Sequence, residues 1–144
     1  MEKEMSLMIV DDEQRFLITT GKLISRLGYS VQTAAGGPEA LEKLLNHEVH
    51  VVILDVKMPG MDGIDTLRAI KRQNPIIEVI MLTGHGTMEA AIEGMKNGAS
   101  DFLLKPIDIS ELIGKAEAAY RRRRDLQGRI KGVLMRRTSA PQDE

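Results

Sequence analysis

Three short runs of the sequence, residues 7–10, 51–54 and 79–82, are apolar at every position. A strand with one face in water alternates apolar and polar residues, whereas a strand covered on both faces of a parallel sheet stays apolar throughout. The three runs therefore predict buried parallel strands. Two weaker runs, 29–34 and 101–104, predict two more strands.

Helical spacing of apolar residues follows each of these strands. Gly28 ends the first helix, and Thr87 can cap the fourth. Asp108 or Ser110 caps the fifth, whose apolar pattern starts at Leu112. Five strands that alternate with five helices predict a doubly wound α/β fold, in which one parallel sheet lies between two layers of helices.

The composition is that of one soluble domain and excludes several kinds of site. The 144 residues are 42% apolar and 28% charged, and this length can bury a core without cross-links. The absence of cysteine excludes disulfides and thiolate zinc sites. No apolar stretch approaches the roughly 18 residues of a membrane span, and the acidic start from Met1 to Glu4 is not a signal peptide. We therefore expect a cytoplasmic protein with no membrane partner.

Charge divides the chain into a body and an appendage. The net charge is −1, but residues 121–137 hold eight Arg or Lys and one acid, and residues 138–144 hold two acids. Residues 1–120 therefore carry a net charge of −6. We predict a folded domain over 1–120, a basic extension of the last helix over 121–137 and a disordered tail over 138–144. No second domain fits after residue 120, so we expect either a stand-alone domain or a piece of a longer protein.

The apolar spacing of the last helix continues into the extension in steps of four and three. The positions of this seam are Leu112, Ala116, Ala119, Arg123, Leu126, Ile130 and Val133. Such a seam can pair two chains, although Arg123 interrupts it and Gly128 and Gly132 each cost about 1 kcal/mol of helix stability. Three interpretations stay open: a solvated extension, pairing of two chains, and nucleic-acid binding by residues 121–124, which no base-reading element accompanies.

The most informative polar residues lie where the predicted strands end. Asp11 and Asp12 follow the first strand, Asp55 the third, Thr83 the fourth and Lys105 the fifth. The carboxyl ends of parallel strands meet at one edge of a sheet, and ligands of such folds bind there. We therefore expect these five side chains to form one site.

The residue types at this edge favour phosphoryl chemistry. Asp11, Asp12 and Asp55 repel one another and need a cation, and carboxylates without a nearby His or Cys favour Mg²⁺ over Zn²⁺. A Mg²⁺ ion beside Lys105 and the Thr83 hydroxyl makes a pocket suited to a phosphoryl group, because the metal and the ammonium neutralise its oxygens while a carboxylate attacks in line. A carboxylate that attacks as the nucleophile would give an acyl phosphate as its product.

From about Leu7 to Tyr120 the sequence resembles a two-component response-regulator receiver domain of the CheY-like superfamily. The resemblance rests on four motifs in order, each at a strand end: the Asp11-Asp12 pair, Asp55 within Leu-Asp-Val-Lys-Met-Pro-Gly-Met-Asp-Gly, Thr83-Gly84, and Phe102-Leu-Leu-Lys105-Pro106. It implies a flavodoxin-like three-layer sandwich with five strands in the order 2-1-3-4-5.

For the site, the resemblance implies that Asp55 accepts a phosphoryl group from a histidine kinase or a phosphotransfer protein. Asp12, Asp55 and the main-chain carbonyl of Lys57 would bind Mg²⁺ directly, Asp11 would bind it through water, and Lys105 would contact the phosphoryl oxygens. The chain would be a signalling protein that catalyses only its own phosphorylation and dephosphorylation.

The resemblance also implies a conformational switch. Thr83 would turn towards the phosphoryl group, and Phe102 would turn inward into the vacated space. The surface formed by helix 4, strand 5 and helix 5 would then bind a downstream protein or a second copy of the chain, and nucleic acid is not an expected partner. Lys57 and His85 would tune the lifetime of the phosphoryl group, and the peptide bond before Pro106 would be cis.

Other classes of protein fit these residues less well. A phosphatase of the haloacid-dehalogenase type needs a second Asp two residues after its nucleophile, where this chain has Lys57. A flavodoxin-like cofactor binder needs a phosphate-binding loop after the first strand, where Asp11, Asp12 and Glu13 would repel a phosphate. A receiver that had become only a binding module would lack one of the site residues, and none is missing.

Three further polar residues carry weaker expectations. Glu13 either supports the metal site or merely lies favourably at the start of the first helix. His47 and His50 precede the third strand at the opposite edge of the sheet. We expect both histidines to be exposed and neither to bind a metal.

Overall fold

The structure is a computed structural model that describes residues 3–56, 62–84 and 88–139, with side chains as far as Met135. Its strands are β1 (Ser6–Val10), β2 (Ser30–Ala34), β3 (Val51–Asp55), β4 (Glu78–Thr83) and β5 (Asp101–Leu104). Its helices are α1 (Gln14–Arg26), α2 (Gly37–Asn46), α3 (Gly63–Gln73), α4 (Met88–Lys96) and α5 (Ile109–Ser139). Each predicted strand and helix is found within the described ranges.

The strands form one parallel sheet in the order β2-β1-β3-β4-β5, which confirms the predicted fold. Alternate residues of the central strands enter two cores. Met8 and Val52 belong to the core that also contains buried residues of α2 and α3. Leu7 and Val51 belong to the core that contains buried residues of α1 and α5. The central strands are apolar throughout because helices cover both of their faces.

The start of α5 is set by a side-chain cap. Asp108 Oδ1 accepts a hydrogen bond from Ser110 N at 2.8 Å. Asp108, not Ser110, is therefore the cap, and α5 begins at Ile109, three residues before the apolar pattern starts at Leu112. Thr87, the expected cap of α4, lies outside the described residues.

Helix α5 belongs partly to the core and partly to the surface. The first half of the seam, from Leu112 to Ala119, is completely buried in this chain's own core. Beyond it Leu126 and Ile130 are each 46% exposed, so only the later half of the seam is open to a partner. The helix continues to Ser139, two residues into the segment predicted to be disordered. Among the described helices, none combines the length and the apolar character needed to cross a membrane.

His50 is buried, so the expectation that it is exposed was wrong. Its Nδ1 accepts a hydrogen bond from Ser6 N at 3.0 Å, and its ring packs on the Tyr120 ring with the centroids 4.9 Å apart. Burial lowers the pKa of His50, and the charge of Arg123 lowers it further. His47 is exposed, as predicted.

Candidate functional site

Hydrogen bonds that continue the sheet past its strands fix the backbone of the site. Asp11 N donates to Ala34 O at 3.1 Å, and Lys105 N donates to Thr83 O at 2.8 Å. Asp55 is the last residue of β3. The structure therefore brings the predicted residues from four strand ends to one edge of the sheet, where the parallel order predicted them.

Three carboxylates meet at this edge. They belong to Asp11, Asp12 and Asp55, which we call the acid cluster. Each of the three offers an oxygen that lies within 4.8 Å of the others. Asp11 and Asp55 are buried, at 0% and 6% exposure, whereas Asp12 is exposed. Oδ1 of Asp11 accepts a hydrogen bond from Glu13 N at 3.0 Å, while its buried Oδ2 has no hydrogen-bond partner in the described part of the chain. These three carboxylates could together hold a metal ion, to which they would offer hard oxygen ligands.

Lys105 supplies positive charge to the acid cluster. Its Nζ lies 3.0 Å from Asp11 Oδ2, an ion pair without a well-directed hydrogen bond, and 3.9 Å from Asp55 Oδ2. Burial disfavours the charged ammonium, but the contact with Asp11 and the charges of Asp55 and Glu13 outweigh burial and raise the pKa of Lys105. The same ammonium lies 5.1 Å from the ring centroid of Phe16, to which the sequence had assigned no role.

The two residues expected to switch, Thr83 at the end of β4 and Phe102 in β5, lie on neighbouring strands. Thr83 is buried, and its Oγ1 donates to Leu103 O at 3.4 Å. Phe102 is half-buried, pairs with Met81 of β4 and packs against the core on the α3 side of the sheet. The Nζ atom of Lys115 lies 5.2 Å from the centroid of its ring.

Gly63, the last residue of the motif that contains Asp55, has a role at the site that was not predicted from the sequence. It begins α3, and its backbone N donates to Val56 O at 3.0 Å. A Cβ at this position would lie 2.6 Å from Asp55 O and 2.6 Å from Val56 Cα. Glycine therefore allows α3 to approach the backbone of Asp55 this closely. In the sequence, the pair Asp62-Gly63 indicates that a helix begins here. Asp62 is the cap of that helix, because its Oδ1 accepts a hydrogen bond from Asp65 N.

Lys57, with its proposed carbonyl ligand, and His85, a proposed tuning residue, lie outside the described residues. The Lys105–Pro106 peptide bond is cis, which confirms that expectation. Glu13 precedes α1 as its N-cap residue, but its side chain makes no capping hydrogen bond.

A groove of about 540 Å³ lies beside Lys105, between α1 and the loop from β5 to α5. Its walls are mostly apolar and include Phe16, Leu23 and Pro106, while Glu13 adds a polar side chain. The groove is therefore a mostly apolar surface next to the acid cluster.

Comparisons with known proteins agree with this geometry. The family model described as the response regulator receiver domain matches residues 7–117. A receiver domain protein from Clostridium thermocellum has a solved structure that superposes with a TM-score of 0.80 at 36% sequence identity, covering 85% of this chain and 98% of that one.

Curated relatives extend well beyond the matched region. The transcriptional regulatory protein ZraR of Escherichia coli K12 is 38% identical over 113 residues, which are 78% of this chain and 26% of the relative. The DNA-binding transcriptional regulator NtrC of the same organism is 35% identical over 111 residues, which are 77% of this chain and 24% of the relative. The chain thus spans about a quarter of the length of these relatives. The family model matches residues 7–117, and the acid cluster, Thr83 and Lys105 lie at the strand ends. The chain therefore belongs to the response regulator receiver domain family.

Proposed function

We propose that the chain is a phosphorylation-operated switch in which Asp55 accepts a phosphoryl group from a histidine kinase or a phosphotransfer protein. An Asp55 carboxylate oxygen forms a bond to phosphorus while the bond from phosphorus to the donor nitrogen breaks, and the imidazole leaves with that electron pair. The observation that carries the proposal is the environment of Asp55. Its buried carboxylate lies in the acid cluster, 3.9 Å from the ammonium of Lys105.

The residues around Asp55 have distinct roles in this proposal. Lys105 keeps its charge because its pKa is raised, and it binds oxygens of the incoming phosphoryl group. Asp11, Asp12 and Asp55, with the carbonyl of Lys57, would hold Mg²⁺, which supplies the positive charge that an anionic donor needs beside three acids. The chain catalyses its own phosphorylation and dephosphorylation and acts on no other substrate.

Phosphorylation changes the surface through Thr83 and Phe102. The phosphoryl group adds about −1.5 to −2 charges to this edge of the sheet. The Thr83 hydroxyl leaves Leu103 O and donates to the phosphoryl oxygens, and Phe102 turns into the space that Thr83 leaves. Apolar side chains that are 44–53% exposed already mark the surface of α4 and β5: Met88, Ile92, Met95 and Leu104. We propose that a downstream protein or a second copy of the chain binds there.

The apolar groove beside Lys105 is where we expect the phosphoryl donor protein to dock. It places the donor next to the acid cluster and leaves the α4 surface free for a second partner. We place this exchange in the cytoplasm, and we do not expect the chain itself to bind nucleic acid.

Phosphorylation by a small donor tests the proposal. Wild type, Asp55→Asn and Asp65→Asn are incubated with acetyl phosphate and Mg²⁺, and the mass of each intact protein is measured by mass spectrometry. Asp65 is an exposed acid of α3 and serves as the matched control. We expect one added phosphoryl group in wild type and in Asp65→Asn, and none in Asp55→Asn or when EDTA removes Mg²⁺. Equal modification of Asp55→Asn and wild type would overturn the proposal.

A further inference from the structure

Lys115 of α5 holds its ammonium over the ring of Phe102, although the proposed chemistry at Asp55 does not use it. Nζ donates to Phe102 O at 2.7 Å and to Asp101 Oδ1 at 3.2 Å, and it lies 4.0 Å from Glu111 Oε2. It lies 5.2 Å from the ring centroid. A partly desolvated cation at this distance from an aromatic face is attracted to the ring.

The backbone of β5 determines where this ammonium sits. Asp101 Oδ1 also accepts a hydrogen bond from Phe102 N at 2.8 Å, so the carboxylate is itself fixed to the strand. The Phe102 carbonyl and Asp101 together anchor the Lys115 Nζ independently of the orientation of the ring. The contact with the ring, in contrast, exists only while the ring lies beneath the ammonium.

We propose that Lys115 is a positioning residue that holds Phe102 in the orientation of the unphosphorylated state and so sets how readily the switch turns. This inference rests on the proposed function, because it requires Phe102 to turn inward when Asp55 is phosphorylated. A ring that turns inward leaves the anchored ammonium behind. A contact made in only one of two states shifts their equilibrium towards that state. Removal of the Lys115 charge therefore favours the active state before any phosphoryl group is present.

The amino-acid composition makes this equilibrium measurable. The chain has two phenylalanines, Phe16 and Phe102, so biosynthetic 4-fluorophenylalanine gives two ¹⁹F signals. Phe102 reports on the switch, and Phe16 reports on the phosphorylation site because Lys105 Nζ lies 5.1 Å from its ring centroid. Replacement of Phe16 by Leu assigns the two signals. Beryllium fluoride with Mg²⁺ serves as the mimic of a phosphoryl group on the Asp55 carboxylate.

Three substitutions separate the effect of the Lys115 charge from the effect of side-chain shape and from the effect of losing a lysine charge elsewhere on α5. Lys115→Met removes the charge and keeps most of the apolar stem, whereas Lys115→Arg keeps the cation. Lys131→Met removes the same charge from an exposed position on the same helix. Urea unfolding of each variant shows whether the fold is intact.

We expect Lys115→Met to bind beryllium fluoride about 2- to 5-fold more tightly than wild type, the ratio that one such contact supplies. Its Phe102 signal without the mimic should lie part-way towards the saturated position. Lys115→Arg should restore the wild-type signal and affinity, and Lys131→Met should match wild type. Equal affinities of Lys115→Met and wild type, with or without a change in stability, would overturn the role of Lys115 and leave the proposed function intact. A wild-type chain that neither binds the mimic nor is phosphorylated would overturn both.

Discussion

Replacement of Asp12 by Asn should stabilise the fold without Mg²⁺ and should reduce the stabilisation that Mg²⁺ provides. An Asp12 oxygen lies within 4.8 Å of oxygens of Asp11 and Asp55. Lys105 forms its ion pairs with Asp11 and Asp55, and Asp12 has none among the residues that the structure describes. The Asp12 charge therefore contributes two repulsions to the acid cluster and no compensating ion pair.

The size of this effect follows from the separation of the charges. At the upper limit of 4.8 Å for this separation, two unit charges repel by about 0.9 kcal/mol in water and by about 3.5 kcal/mol at an effective dielectric constant of 20. Asp12 is exposed, so solvent keeps each repulsion near the lower value. Without a divalent ion, Asp12→Asn should raise the free energy of unfolding by about 1–2 kcal/mol. At a Mg²⁺ concentration about 100 times Kd, wild type should gain about 2.7 kcal/mol, and the variant should gain less because it lacks one charged ligand.

Urea unfolding followed by circular dichroism measures both quantities. Each protein is unfolded in EDTA and in MgCl₂, with NaCl added so that the ionic strengths match. Glu42→Gln removes an exposed acid of α2 and serves as the control. Asp12→Asn should be more stable than wild type in EDTA, and it should gain less stability from MgCl₂ than wild type does. A variant that is less stable than wild type in EDTA, or that gains as much from Mg²⁺ as wild type does, would refute the electrostatic account of the cluster.

Three other substitutions test separate parts of the structure. Gly63→Ala puts a Cβ 2.6 Å from Asp55 O and should lower the free energy of unfolding by about 1–3 kcal/mol. The control, Gly128→Ala, meets open space and should raise the free energy of unfolding. Equal effects of the two substitutions in urea unfolding would contradict the close approach of α3 to Asp55. The pKa of folded His50 is lowered, so the unfolded chain takes up the proton more readily as the pH falls below about 6.5. As the pH falls below about 6.5, the stability of wild type should therefore decrease more steeply than that of His50→Asn, and replacement of the exposed His47 by Asn serves as the control. Thr83→Val should still be phosphorylated at Asp55, but the ¹⁹F signal of Phe102 should no longer follow phosphorylation, because the hydroxyl that links the two is gone.

The central strands were predictable because a strand that is buried on both faces has apolar residues at successive positions. β3 is buried at every position, and its run of apolar residues has no polar interruption before Asp55. β2 lies at an edge of the sheet and is mostly half-exposed, and its start was predicted one residue too early, at Tyr29. An edge strand gives a weaker pattern because only part of its surface needs apolar side chains.

The acid cluster was predictable for a different reason. Parallel strands bring their carboxyl ends together, so Asp11, Asp55 and Lys105 could be placed at one site without any distance being known. Gly63, His50 and Lys115 could not be found this way. Their roles depend on how closely elements far apart in the sequence approach each other, as when α3 meets the backbone of Asp55 or the ring of His50 meets Tyr120 of α5.

The most direct test of the central claim is chemical trapping of the phosphorylated residue. The chain is incubated with acetyl phosphate and Mg²⁺ and then treated with sodium borohydride, which reduces an aspartyl phosphate to homoserine and leaves free carboxylates intact. Tandem mass spectrometry then locates the homoserine. We predict homoserine at position 55, and only when both the donor and Mg²⁺ are present. Homoserine at Asp11, Asp12 or any other acid, or its absence everywhere, would contradict the claim that Asp55 accepts the phosphoryl group.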